Sequence, residues 1–389
     1  VAPTAAFPFI EVRIVPPPAP LAQRSPGVVA VVGKAPSTAD GGSAPANTPV
    51  RIETLDDAVT NFARRQAGSV VRNALYNSLE LAFLQDPRPA KVYGVKVAGD
   101  DYAAALSGLE AADDVTMVSL ANESTVGNPA GAGAPTGLHA LKAHVETMSA
   151  AGQRRIGFAM VNPATEKGPT YVTDITTAAN PLKSSTSRMV MIAARGADGD
   201  AATAAMAAVA GLPVHHSIVL KKIRGVAIPV AKQYSPAEIK GLSEANLTPI
   251  IDPTLITGES LHFADGRLFT SDASLLHVDL VRTLDQIEFM LRAGLIGLVG
   301  DARITKPGMT LLKTQVDGIL GPLKRQAVID DYQIEIPVLD ILGIPEVART
   351  ATDTSIVTAA RADRTVDLVV TVTYGPAVSR LLVTLVAKF

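Results

Sequence analysis

The middle third of this chain alternates short apolar runs with amphipathic stretches, and that alternation limits the fold more than any other feature. Val115–Leu120 (VTMVSL), Ile156–Val161 (IGFAMV) and Arg188–Ala194 (RMVMIAA) are apolar runs of strand length. Before, between and after them lie helical patterns over residues 101–110, 138–151, 170–180 and 199–210. Strands separated by helices of this length predict a parallel sheet with crossover helices. The pattern places an inserted α/β domain over residues 99–222.

The flanking segments read differently. Gly27–Val32 is a buried-type strand, residues 36–49 a Pro/Gly/Ser loop, and Val50–Ile52 a short strand. Thr54 is a good N-cap for LDDAVTNFA. Val71, Leu75, Leu79 and Phe83, at intervals of four, predict a helix over residues 69–85, followed by a strand at 90–98. After residue 222, Ser235, Pro236 and Glu238 form a capping box opening a helix. Residues 247–252 and 260–264 predict short strands. A long helix is expected from Asp272 to Gly294, and another from 309 to 326 bent by Pro322. Tyr332–Ile336 predicts a further strand.

Both ends of the chain carry strand patterns. In FPFIEVRIV, Ile10, Val12 and Ile14 face one way, and a proline run over residues 16–20 separates them from the body. At the other end, Leu368, Val370, Val372 and Tyr374 share one face. Leu381, Val383 and Leu385 share another. A strand on a proline leash offers unpaired backbone groups to a sheet edge on another molecule. The competing reading for residues 367–389 is a hairpin turned at Gly375-Pro376 and closed within the chain.

The expected class is therefore α/β and α+β, multidomain. An arm spans 1–26, a core domain is split between 27–98 and 223–365, the inserted domain spans 99–222, and a strand arm spans 366–389. Net charge is −2, so the whole chain exerts no pull on nucleic acid. There is no cysteine, which excludes disulfides, thiolate catalysis and cysteine-bound zinc. No apolar run reaches the ~20 residues that cross a bilayer, and no secretory signal is expected.

The search for chemistry finds no complete motif. Gly33-Lys34 follows an apolar strand, but Ala35 stands where a phosphate loop needs a hydroxyl. Gly131 and Gly133 lack the spacing of a dinucleotide fingerprint. His215-His216 point to opposite faces if extended, and His139 and His144 have the wrong helical pitch for shared ligation. Asp198-Gly199-Asp200 is better explained as a helix cap than as a calcium loop. The expectation is no catalytic residue, no cofactor and no metal.

The order of these pieces resembles the tail sheath proteins of contractile phages and related injection systems. The block from Pro26-Gly27-Val28 through Val32-Gly33, Pro49-Val50-Arg51-Ile52 and Asn61-Phe62 is similar to the family's opening. Asp265-Gly266-Arg267-Leu268-Phe269-Thr270 resembles a degraded form of an aromatic-Gly-x-Arg-Thr segment. Val281-Arg282-Thr283-Leu284-Asp285-Gln286-Ile287-Glu288 resembles a family helix. The resemblance implies a helical homopolymer around an inner tube, with baseplate and tail-terminator or cap proteins as partners, and terminal arms that donate strands to neighbours. It implies assembly in a bacterial cytoplasm, within a phage virion or an injection particle. Lys313, Lys324 and Arg325 on the 309–326 helix are the candidate tube contacts, with a solvated helix face as the plain alternative. An α/β enzyme or ligand-binding protein using the middle domain, and another self-assembling shell protein, are the rival readings.

Overall fold

The computed structural model describes residues 25, 27–37, 39–131, 133–258 and 260–377. Strand β1 (Val28–Lys34) is buried from Val28 to Gly33, with valines at 28, 29, 31 and 32. β2 (Pro49–Ile52) leads to α1 (Leu55–Phe62), where Thr54 is the N-cap as predicted and the Asp57 side chain caps the Thr54 backbone in return. The expected helix over 69–85 begins late. Arg64–Gln66 (β3) and Ser69–Val71 (β4) form a hairpin, and α2 (Ala74–Leu84) starts only after Asn73 caps it. Ala67 (φ 49°) and Gly68 (φ 83°) supply the left-handed turn that closes this hairpin. β-branched Val70 and Val71 then favour the strand over the helix their spacing suggested.

β5 (Lys91–Val97), α3 (Tyr102–Gly108), β6 (Met117–Leu120), α4 (Gly137–Ala150) and β7 (Ile156–Met160) follow close to expectation. So do α5 (Tyr171–Ala179), β8 (Met189–Ala193) and α6 (Ala201–Gly211), the last capped by Asp200. β9 (Lys222–Ile223), α7 (Pro236–Glu244, with its Ser235–Glu238 box), β10 (Thr248–Ile251) and β11 (Leu261–Phe263) complete the sheet.

The nine strands lie in the order β2-β5-β1-β6-β7-β8-β10-β11-β9. β5, β1, β6, β7, β8 and β10 run parallel. β2 and β11 pair antiparallel at either side of them, and β9 pairs antiparallel with β11. The residue alternation of β1 divides the core. Val29 and Val31 pack with α1, α2 and α6, while Val28, Ala30 and Val32 pack with α3, α4, α5 and α7. This is a three-layer doubly wound arrangement. Gly94 in β5 keeps it closed, because a Cβ there would lie 2.4 Å from the Phe62 ring.

The expected break at residue 99 does not interrupt this sheet. β1 hydrogen-bonds to β5 on one side and β6 on the other, so residues 27–98 and 99–222 share one layer. Residues 25–289, 320–335 and 368–377 belong to one compact unit, and 290–319 with 336–367 to a second.

The long helix α8 (Val278–Leu295) also starts later than expected. Asp272 accepts the backbone N–H and the hydroxyl of Ser274, closing a local turn instead of the first helical turn. α9 (Lys306–Arg325) continues through Pro322. β12 (Asp331–Glu335) matches the predicted strand. Two helices then occupy a stretch with no clear sequence pattern, α10 (Pro337–Gly343) and α11 (Ala351–Asp363). In the second unit the buried apolar residues are Met309, Val316, Ile319, Ile336, Val338, Leu342 and Val357. β13 (Val369–Thr373) is the last described strand.

Candidate assembly site and its surroundings

β13 pairs antiparallel with β12 in a two-stranded ribbon: Asp331 opposite Thr373, Tyr332 opposite Val372, Ile334 opposite Val370 and Glu335 opposite Val369. Its side chains alternate as the sequence predicted. Leu368, Val370, Val372 and Tyr374 turn toward the protein, while Val369, Thr371 and Thr373 are exposed. Thus residues 369–373 find their partner in β12. Ile10, Val12 and Ile14 of the N-terminal arm, and Leu381, Val383 and Leu385 of the last segment, lie outside the described residues.

Three contacts concentrate where the ribbon meets residue 374. The Asp330 N–H donates to the Thr373 carbonyl at 2.9 Å. The Lys324 ammonium pairs with Asp331 at 2.6 Å. One residue beyond the last rung, the Tyr374 hydroxyl donates to Asp279 Oδ2 at 2.6 Å. Asp279 is 7% exposed and sits in the first turn of α8. Burial, then the hydrogen bond to Asp279, push the Tyr374 hydroxyl above its usual range.

The helix that receives Tyr374 is itself tied to the sheet. Asp285 takes a bidentate pair from Arg188 at 2.6 and 3.0 Å. Glu288 takes Arg154 at 2.6 Å. Arg282 is buried and donates to the Leu212 carbonyl at 2.9 Å, just past the C-terminus of α6. Burial pulls its guanidinium down to about 10, which leaves it charged at neutral pH. These are the residues of the Val281–Glu288 block, and each polar one named here holds α8 in place.

Of the candidate tube contacts, Lys313 and Arg325 are exposed on α9. Lys324 is exposed too, and its charge is shared with Asp331.

The chemistry-bearing residues of the sheet are engaged within the chain. Lys34, the last residue of β1, pairs with Asp100 and lies over the Tyr102 ring. Asp200 accepts from Ser78, Thr203 and the Asn122 N–H. Arg195 is fully buried between Tyr171 and Tyr234, 4.4 and 4.7 Å from their ring centres, and pairs with Glu238 at 2.6 Å. Arg155 meets His144 Nε2 at 2.8 Å, and burial together with that cation drives His144 down to about 3, so it stays neutral. His215 and His216 stack edge to face at 4.6 Å in a turn, not on the strand that would separate them.

A cavity of about 390 Å³ opens near the carboxyl end of β7, lined by Val126, Leu138, Val161 and Ile175 with Ser124, Asn162 and Asp174. No histidine lines it. Among the described residues no cluster of His, Asp or Glu has the makings of a metal site. No described helix is long and apolar enough to cross a membrane.

No protein-family model matches the sequence, and no curated protein does. Solved structures do match, along nearly the whole chain. A chain of the contracted PVC sheath, from an extracellular contractile injection system, superposes with a TM-score of 0.66 at 12% identity, over 100% of this chain and 99% of that one. A chain of the contracted helical sheath of the anti-feeding prophage gives 0.64 at 12%, over 99% and 100%.

The chain has the fold of a contractile sheath subunit.

A chain of the anti-feeding prophage baseplate structure gives 0.65 at 13% identity, over 99% of this chain and 100% of that one. A sheath tail protein from Listeria innocua gives 0.54 at 11%, over 81% and 89%. At such identities the likeness is one of fold. Because it runs end to end, the sheath fold covers the second compact unit as well as the sheet.

Proposed function

We propose that this protein is the repeating subunit of a contractile sheath. It polymerises helically around an inner tube and contracts to drive that tube through a target envelope. The observation that carries the reading is the end-to-end structural likeness to chains of two contracted sheaths. The doubly wound sheet is the rigid body of each subunit. The terminal strands are the links that hold subunits together while their bodies move.

Ile10, Val12 and Ile14 supply the apolar face of one donated strand, and Leu381, Val383 and Leu385 that of another. Leu368, Val370 and Val372 root the second arm on the body. Each donated strand adds on the order of 3–6 backbone hydrogen bonds, each contributing ~0.5–1.5 kcal/mol net. Burial of the Ile, Val and Leu side chains adds to this. A single link is modest, but every subunit repeats it. Lys313, Lys324 and Arg325 are the proposed tube-facing cations, and baseplate and terminator proteins the partners at the two ends.

Deleting residues 1–15 tests the linkage. The full chain is expected to form long tubes in negative-stain electron microscopy, and the truncated chain to give monomers or short fragments. Tubes of normal length from the truncated chain overturn the linking role.

A further inference from the structure

Among the described residues, the ion pair and the side-chain hydrogen bond that brace the β12–β13 ribbon stand at the end from which the C-terminal arm departs. A two-stranded ribbon is marginally stable in water by itself. Tension applied through residues beyond 374 loads such a ribbon by peeling. The rungs then break in succession, beginning with Asp331 opposite Thr373. At that first rung stand the Lys324–Asp331 pair and the Asp330-to-Thr373 hydrogen bond. Outside it, before any rung is reached, stands the Tyr374–Asp279 hydrogen bond. Among the described residues, no side-chain ion pair supports Glu335 opposite Val369 at the far end.

We propose that Tyr374 is the anchor of the C-terminal arm: its hydrogen bond to Asp279 stops tension on the arm from unzipping β13 and passes it to helix α8. The inference rests on the sheath reading for the source of the tension, but not for the anchor itself. Asp279 suits the task because it is nearly buried and belongs to the helix that Arg188, Arg154 and Arg282 fasten to the sheet. A charged acceptor in a partly dry setting makes a stronger hydrogen bond than a neutral one. Gly375 and Pro376 follow at once, and Pro376 has no N–H with which to extend the ladder. The fixed point of the arm is residue 374. Tyr374 acts here as a positioning residue.

Tyr374→Phe removes one hydroxyl and keeps the ring. In the full-length, unassembled chain, amide hydrogen exchange over residues 369–373 is expected to quicken about tenfold or more, with β1, β6 and β7 unchanged. Asp279→Asn keeps an acceptor oxygen without the charge and is expected to give a smaller rise over the same residues. Exchange at 369–373 that is the same in Tyr374→Phe and the parent overturns the anchor. A rise spread evenly through the sheet overturns it as well. If Tyr374→Phe does not fold, unchanged exchange over 369–373 in Asp279→Asn has the same force. Failure of the parent chain to form tubes counts against the sheath reading instead, and exchange in the unassembled chain still decides the anchor.

Discussion

Helices α6 and α11 are both rich in alanine and of similar length, yet the protein treats them in opposite ways. Every residue of α6 from Ala201 to Ala210 is buried. It lies beneath β1, β6, β7 and β8 and beside α2, and small side chains let it approach the sheet closely. In α11 only Val357 is buried. That helix is held by its ends: a Thr350–Asp353 capping box starts it, and Arg364 (φ 54°) closes it in the left-handed conformation. One helix is enclosed by its own chain. The other is made locally and leaves most of its surface exposed.

The largest effect expected from this contrast comes from the same substitution made in both helices. Ala205→Glu places a charge where exposure is 0%, with no partner, and is expected to unfold the sheet unit in chemical denaturation. Ala359→Glu on α11 is expected to change stability by no more than about 0.5 kcal/mol. Equal effects would erase the distinction.

Acid should reach the enclosed region next. The hydrogen bond from Arg195 is the main cause that lowers the Glu238 carboxyl from 4.5 to about 2 in the folded protein. Its contribution to stability is complete above the unfolded value near 4.5, and is lost as pH falls from there toward 2. Denaturation midpoints measured between pH 5 and 2 should fall, and Glu238→Gln should flatten that slope. The smallest effect is at the cap. Thr350→Ala should cost about 1 kcal/mol, seen as faster hydrogen exchange in the first turn of α11 with α6 unaffected.

The same contrast explains what the sequence makes legible. Enclosed strands such as Val28–Lys34 and Met189–Ala193 announce themselves as apolar runs, and the caps at Thr54, Asp200 and Ser235 mark their helices. α11 carries no apolar stripe, so its helical character rests on caps alone and goes unread. The hairpin at 64–71 was hidden because Val71 fits both a helix and a strand, and the Ala67-Gly68 turn decides between them. The continuity of the sheet across residue 99 leaves no mark in the sequence for another reason. Buried parallel strands look alike whichever neighbour they take, so strand order does not show in their composition. The alternation of residues 368–374 was readable, but their partner was not. β12 and Asp279 lie far away in the chain, and pairing over such distances leaves no local mark.

The sheath reading requires identical copies of this chain to link into a helical tube. Negative-stain imaging of the purified full-length chain tests it most directly. Long tubes with a regular helical repeat are the predicted result. Flat lattices, closed shells or dispersed monomers at every concentration would contradict it.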